Sequence, residues 1–452
     1  MSASLFELHE HTIPTSHIRE YPRATADDQE DVLQLAIKQY VPRDNNEPKT
    51  GDITIIGAHA NGFPKELYEP LWDELHARLK AQGVSIRGIW IADVAWQGQS
   101  GILNEHKLGN DPSWMDHSRD MLLMVNHFRS QMKRPIFGIG HSMGAAQLVN
   151  LSIMHPRLFT SLILMDPVVQ RYPAKLGTFN PARASMVRRD RWPSRKVAEA
   201  SFRKSKFYQT WDPRVLDLWL EHGLRDLPTK IYPSFTPASQ TPPAITADGS
   251  STISTPEKNS EVEVTLSTTK HQEVVTFLRP NYPTLSNLDP WTQPNPNTHP
   301  DVDPGTGPNV PFYRPEVRET FYKLALLRPG VFYIFGEESY MSTRVLQADK
   351  LACTGTGVGG SGGVKAGRVS SVTVEKVGHL IPMEDVDASA KNCASWIILE
   401  LERWRRVEED ERGERATLPK EQRGMMSEES VKVMTGDWAQ YAKPLKPTGS
   451  KL

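Results

Sequence analysis

The stretch PIFGIGHSMGAAQLV, residues 135–149, decides how this chain is read. Pro135-Ile136-Phe137-Gly138-Ile139 is an apolar run of strand length, and Gly140-His141-Ser142-Met143-Gly144 has the pattern G-x-S-x-G. Ala145-Ala146-Gln147-Leu148-Val149 then continues with helical character. A strand that turns sharply into a helix around a serine forms a nucleophile elbow. A serine hydroxyl is a weak nucleophile until such a turn thrusts it toward a base, and the same turn aims the next backbone N–H at the developing oxyanion. Gly140 and Gly144 suit the turn because strand and helix come too close there for side chains. The pentapeptide alone would also fit an ordinary loop; its flanking strand and helix favour the catalytic reading.

Outward from this stretch the chain alternates. Ser4–Thr12, Val32–Tyr40 and Asp52–Ala58 read as strands, the last two with the β-branched density of buried ones. Pro64–Gln82 reads as a helix with Leu67, Leu71, Leu75 and Leu79 on one face. Strand Ile86–Ala92, helix Trp114–Met132 and strand Ser161–Met165 extend the order to β-α-β-α-β-α-β, which predicts a mostly parallel, doubly wound α/β sheet.

After Asp166 the alternation stops. Residues 167–330 read as a cap inserted after the sixth strand, over the sheet's C-terminal edge. Phe202–Trp211 and Val215–His222 look helical, with Gly223 as a helix stop. Pro233–Ser260 is Pro/Ser/Thr-rich and reads as disordered, Val264–Leu278 regains periodicity, and Asp289–Pro311 returns to loop composition. The core, 1–166, resumes over 331–406 with strands Val331–Phe335 and Val369–Val374 and helix Ala388–Glu402; 407–452 reads as a polar tail. Gly355, Gly357 and Gly360 satisfy G-x-G-x-x-G, but no strand leads into them and no acidic residue follows at the right distance. A flexible linker fits them better than a dinucleotide site.

Ser142 needs a base. His379, in Val377-Gly378-His379-Leu380-Ile381-Pro382 after the last strand, stands where this architecture holds its histidine; with 14 histidines present, position rather than identity selects it over a plain surface-loop residue. For the acid that orients the imidazole, Asp166 ends the sixth strand and competes with the alternative Glu338 (and Glu337) after the seventh. At the usual offset after Gly336 stands Ser339, so Asp166 is favoured; its bland role is to cap the next segment. The order Ser, acid, His is that of an α/β-hydrolase. The oxyanion donors are expected to be Met143 N–H and Asn61 N–H, the latter in the loop His59-Ala60-Asn61-Gly62-Phe63-Pro64, with His59 as a buttress. Asp93 and Gly98-Gln99-Ser100 read as structural, His141 as a packing residue, and Glu384 and Asp385 as helix N-terminal charges. His9 and His11 lack clustered partners, so neither metal nor cofactor is called for.

Composition narrows the function further. Lys plus Arg number 53 against 54 Asp plus Glu, so no global field argues for nucleic acid or membrane lipid as a partner, and neither is expected. No apolar run is long enough to span a membrane. Only Cys353 and Cys393 occur, so no disulfide framework is expected. The N-terminus lacks a secretory pattern, while Ser450-Lys451-Leu452 reads as the S-K-L peroxisomal address, making an import receptor an expected partner.

The runs GAHANGFPKELYEPLWDEL (57–75), DVAWQGQSGILNE (93–105), LGNDPSWMDHSRD (108–120), FGIGHSMGAAQLVNLSIMHPRLF (137–159) and VGHLIPMED (377–385) carry a resemblance. They resemble fungal peroxisomal α/β-hydrolases of toxin and secondary-metabolite biosynthesis. That family takes in the hydrolases of AK-toxin and mycophenolic acid biosynthesis and, more distantly, the yeast peroxisomal lipase. The resemblance covers about 52–167 and 331–396, and more weakly 264–278. It implies Ser142 as nucleophile, His379 as base and the sixth-strand acid, Asp166. It also implies acyl-CoA thioester hydrolysis in peroxisomes. The alternatives are a peroxisomal lipase or carboxylesterase, and a hydrolase fold retained as a non-catalytic ligand-binding protein. An acyl-CoA would need phosphate anchors, for which Arg183, Arg188, Arg189, Arg191, Arg195 and Lys196 are candidates against the plainer reading of a solvated basic face.

Overall fold

The computed structural model describes residues 2–172, 179–233, 262–280, 299–302 and 312–436. The expectations for 234–260, for most of 289–311 and for Ser450–Leu452 lie outside the described residues. Residues 1–400 form one compact unit. Its centre is an eight-stranded sheet: β1 Phe6–Pro14, β2 Gln34–Pro42, β3 Ile53–Ala58, β4 Ile86–Ala92, β5 Ile136–His141, β6 Ser161–Met165, β7 Gly330–Gly336 and β8 Val369–Val374. The spatial order is β1-β2-β4-β3-β5-β6-β7-β8. β1 pairs antiparallel with β2 and β2 with β4, and the rest are parallel, with Gly140 opposite Leu164 and Ile334 opposite Met165.

Burial explains why these segments are strands. β3, β5, β6 and β7 are buried along their whole length, and near-continuous apolar runs are what a sheet covered on both faces requires. Each fully buried Ile, Leu or Phe contributes about 1.5–3 kcal/mol. Helices α1 Glu69–Ala81, α2 Trp114–His127 and α3 Met143–Met154 cover the sheet. In α3, Ala145, Ala146, Leu148, Val149 and Leu151 are all within 1 % of complete burial, as suits a helix that is apolar all round. From β3 the chain moves one place outward to β4, then crosses back to β5 on the other side. The direction of winding thus reverses between β3 and β5. In open α/β sheets, ligands bind at the carboxyl ends of strands at such a switch point.

Between β6 and β7 lie helices α4 Phe179–Val187, α5 Arg195–Lys204, α6 Pro213–His222, α7 Lys270–Phe277 and α8 Pro315–Lys323. Val264–Leu266 pairs with both Arg191–Trp192 and Leu224–Asp226 in a small sheet. The expected helix Phe202–Trp211 is corrected here. α5 starts at the Ser194 cap and ends at Lys204, and Tyr208–Thr210 forms a short 3-10 turn. Phe202, Tyr208 and Trp211 instead join Trp219 of α6 in an aromatic cluster, with ring centroids 4.9–6.2 Å apart. Of the six candidate phosphate anchors, Arg188, Arg191 and Arg195 pair with Glu273, Glu263 and Asp226.

A buried clamp joins this inserted segment to the core. The Arg279 guanidinium takes both oxygens of Asp111 at 2.8 and 2.9 Å and those of Asp301 at 2.7 and 2.9 Å, and it lies 3.4 Å from the Tyr21 ring centroid. After β7 comes α9 Arg344–Cys353. The glycine stretch that follows is not a flexible linker: Gly355, Gly357 and Ser361 N–H groups bond the carbonyls of Leu324, Ala325 and Leu327.

α10 spans Val386–Thr417, well past the expected Glu402. Pairs such as Glu402/Arg406, Glu408/Arg412 and Glu411/Arg415, four residues apart, suit a solvated helix that needs no apolar face. Residues 401–452 form a second compact unit; as described, its residues from Leu418 to Gly436 are exposed and include a further helix, Glu428–Thr435.

Candidate active site

Ser142 occupies the single residue between β5 and α3, with φ +57° and ψ −115°. Such a backbone is strained for a side-chain-bearing residue, at a cost of about 1–3 kcal/mol, and persists only where the surroundings enforce it. Here they do. Ser142 N–H bonds Met165 C=O at 2.9 Å, and Val168 N–H bonds Ser142 C=O at 3.2 Å. A Cβ on Gly144 would lie 2.2 Å from Ala58 O, and one on Gly140 would lie 2.7 Å from Ala145 Cα, so both positions exclude a side chain.

The structure brings His379 and Asp166 to this serine. His379 Nε2 lies 2.8 Å from Ser142 Oγ, and Nδ1 lies 2.5 Å from Asp166 Oδ2. Asp166 is fully buried at the end of β6 with φ +40°, its N–H bonded to Ile334 C=O of β7. Burial opposes its charge, but hydrogen bonds from His379, Ser339 and Ser342 outweigh it and hold the carboxyl below its usual range. Ser339, at the offset where an acid was sought, donates its hydroxyl to Asp166 Oδ2 at 2.5 Å. Glu338, the alternative acid, is exposed, and the ring nitrogen it would need is already held by Asp166. An imidazole at this distance can take the serine proton, and the carboxylate behind it stabilises the resulting cation.

Met143 is the first residue of α3, so its N–H has no acceptor within the helix and sits at the positive end of the helix dipole. Neither Met143 N–H nor Asn61 N–H enters a backbone hydrogen bond among the described residues. The Asn61 side chain is tied down: its Nδ2–H donates to Glu273 C=O of α7 at 3.0 Å, and its Oδ1 accepts from Gln97 at 2.6 Å. Gln97 is wholly buried, also donates to Thr276 Oγ1 at 3.0 Å, and accepts Gly62 N–H at 2.8 Å. Sequence reading missed Gln97, because contacts between residues 36 and 179 positions apart leave no periodic signal.

His59 buttresses the loop. Its Nε2 accepts Val94 N–H at 3.0 Å, so the Nδ1 proton faces Ala60 C=O at 2.8 Å, and burial lowers its pKa. Asp93 is structural, as expected: Oδ2 meets Lys65 Nζ at 2.7 Å and accepts Gln99 N–H at 2.9 Å. Asp385 caps α10 by accepting Ala388 N–H. Glu384 does more than expected of a helix-end charge. Its carboxylate accepts the N–H groups of Gly378 and Leu380 at 2.8 and 3.3 Å, bracketing His379. No group of three or more His, Cys, Asp or Glu side chains among the described residues is arranged to hold a metal ion, and no described helix is long and apolar enough to cross a membrane.

Fold, switch point and elbow define an α/β-hydrolase. A family model described as Hydrolase_4, serine aminopeptidase S33, matches residues 71–223. The type I acyl-CoA thioesterase mpaH' of Penicillium brevicompactum is 43 % identical over 414 residues, 90 % of this chain and 91 % of that protein. The abhydrolase domain-containing protein AFT2-1 of Alternaria alternata is 26 % identical over 266 residues, 59 % of this chain and 84 % of that protein. The peroxisomal α/β-hydrolase Lpx1 of Saccharomyces cerevisiae shares the fold, with TM-score 0.63 at 16 % identity over 95 % of both chains. The chain belongs to the α/β-hydrolase family that includes the fungal mpaH proteins, and it is a hydrolase.

Proposed function

We propose that this hydrolase cleaves an acyl-CoA thioester through an acyl-enzyme on Ser142. His379 takes the Oγ proton as Ser142 attacks the thioester carbonyl, and Asp166 holds the imidazole and its developing charge. The N–H groups of Met143 and Asn61 receive the oxyanion. Collapse of the tetrahedral intermediate expels the CoA thiolate, which takes the proton from His379. The imidazole then draws a proton from water as the water oxygen attacks the acyl-serine. When the second tetrahedral intermediate collapses, His379 returns that proton to the departing Ser142 Oγ and the carboxylic acid is released.

The observation that carries the reading is the unbroken contact from Ser142 Oγ to Nε2, and from Nδ1 to Asp166, at 2.8 and 2.5 Å. The thioester, rather than a simple ester, is supported by the name and 43 % identity of the Penicillium relative. A panel of acyl-CoAs assayed against their methyl esters is the test. At least one acyl-CoA should be turned over faster than its ester, and Ser142→Ala should lose roughly 10⁴–10⁶-fold in kcat. Full activity in Ser142→Ala would overturn the mechanism, and equal rates on both substrate types would overturn CoA recognition.

The same reading places the enzyme in peroxisomes, in secondary-metabolite biosynthesis. Ser450-Lys451-Leu452 supports the address. Removing these three residues from a fluorescent fusion should leave it cytosolic; continued peroxisomal import would refute the address.

A further inference from the structure

The turn that presents Ser142 holds a second histidine that the proposed reaction does not use. His141 is 1 % exposed, and both its ring nitrogens are engaged: Nδ1 lies 3.0 Å from Tyr68 Oη, and Nε2 lies 2.9 Å from the backbone carbonyl of His379. Tyr68 Oη also accepts Ala60 N–H at 2.9 Å. Every bond in this chain has a forced direction. The His379 carbonyl can only accept, so Nε2 carries the proton and Nδ1 is the acceptor of a neutral ring. Tyr68 then donates its single proton to Nδ1, and its oxygen takes the Ala60 N–H.

Nothing near neutral pH reverses that order. Burial, reinforced by the nearby His379, pushes the His141 pKa down to about 3. Burial raises the Tyr68 phenol well above its usual range, so it keeps its proton. The Tyr68 ring is itself fixed by stacking on Trp72, with centroids 6.2 Å apart.

The two ends of this chain of bonds fall on opposite sides of the proposed machinery. Ala60 immediately precedes Asn61, the carbonyl at the far end belongs to His379 itself, and His141 immediately precedes Ser142. Two buried side chains therefore join segments that leave the ends of β3, β5 and β8. Oxyanion donor and imidazole must converge on one tetrahedral centre, and a displacement of about 1 Å can cost a hundred-fold in rate.

We propose that Tyr68 and His141 are positioning residues that set the separation between the Asn61 oxyanion donor and the His379 imidazole. This rests on the assignment of Ser142, His379 and Asn61 made above.

The test uses the full chain and the acyl-CoA that the wild type turns over fastest. Rates are expressed per active site titrated to completion with a fluorophosphonate, so loss of folded protein does not count as loss of rate. Tyr68→Phe removes one oxygen and should lower kcat about 10- to 100-fold, with KM within about two-fold. His141→Leu should lose at least as much. His141→Gln, whose amide oxygen can accept from Tyr68 and whose amide nitrogen can donate to His379, should recover most of the rate.

A merely structural role would lower the melting temperature and the yield of titratable sites while leaving kcat per site unchanged. Wild-type kcat per site in Tyr68→Phe, or His141→Gln no better than His141→Leu, would overturn the proposal. Should His141→Leu not fold, Tyr68→Phe decides alone. Ser142→Ala separates the two failures. If it stays active, the underlying assignment fails; if it is dead while Tyr68→Phe is unimpaired, only the positioning role fails.

Discussion

Two loops reach Ser142 from opposite sides, and they are held in different ways. The loop carrying His379 is anchored mainly by core residues: Asp166 holds the ring, and Glu384 accepts the N–H groups on either side of it. The insertion touches the turn that follows, through Asp212 N–H to Met383 C=O at 2.7 Å. The loop carrying Asn61 is anchored by the core, through Tyr68 and Gln97, and by the inserted segment as well. Its side chain donates to Glu273 C=O, and Gln97 ties it to Thr276 of the same helix, α7. The hydrogen bonds that hold the His379 ring and its flanking N–H groups thus come from the core, whereas the proposed oxyanion donor is also tied to the insertion.

The comparison can be broken at its strong end first. Asp166→Asn should leave the fold intact yet cost about 10⁴-fold in kcat, because the carboxylate that orients the imidazole is lost. A loss under ten-fold would mean that Glu384 alone fixes the base.

Gln97→Leu acts on the other loop. It strips partners from Asn61 Oδ1, Gly62 N–H and Thr276 in a buried setting. We expect kcat to fall about 10- to 100-fold. Thr276→Val, a change confined to the insertion, should reproduce a few-fold of that loss. An unchanged kcat in Thr276→Val would show that the insertion does not support the loop.

The smallest effect is on stability. His59 and His141, both beside the Asn61 loop, have pKa values lowered by burial. As pH falls below about 6.5 the unfolded chain takes up protons that these folded rings refuse, so stability is lost, and for His141 the loss continues down to about pH 3. Between pH 7 and 5.5 this amounts to roughly 1 kcal/mol for His141, and His59 adds to it in the same direction. Asp116, raised to about 6 by burial, binds its proton in the folded state first and offsets part of the loss below pH 6. Urea unfolding at the two pH values checks the sign; flat or rising stability on acidification would contradict it.

Much of this arrangement is legible in the sequence, for identifiable reasons. Ile86–Ala92, Ser161–Met165 and Val369–Val374 are strands over the expected residues, because short runs rich in Ile, Leu and Val bounded by polar residues have few other uses. Ser142, Asp166 and His379 stand out as candidates because strand ends in a parallel sheet converge. Helix ends are harder. The aromatic residues from Phe202 to Trp211 mimic a helical face while serving a cluster across a turn, and the charged pairs beyond Glu402 extend a helix without any apolar stripe. Least legible are Gln97, Tyr68 and Glu384. Each acts through single hydrogen bonds to a distant backbone group or side chain, which no local pattern announces.

The Arg279 clamp has a consequence for the protein as an object that can be taken apart. It grips Asp111 and the Tyr21 ring with one face of a segment that lies beyond residue 262, and β6 pairs with β7 across the same divide. A chain severed between Tyr232 and Glu263 would carry Ser142 and Asp166 on one fragment and His379 on the other. The halves share buried charge and a strand seam, so they have the makings of a complementing pair whose regained hydrolysis would itself report that they had met.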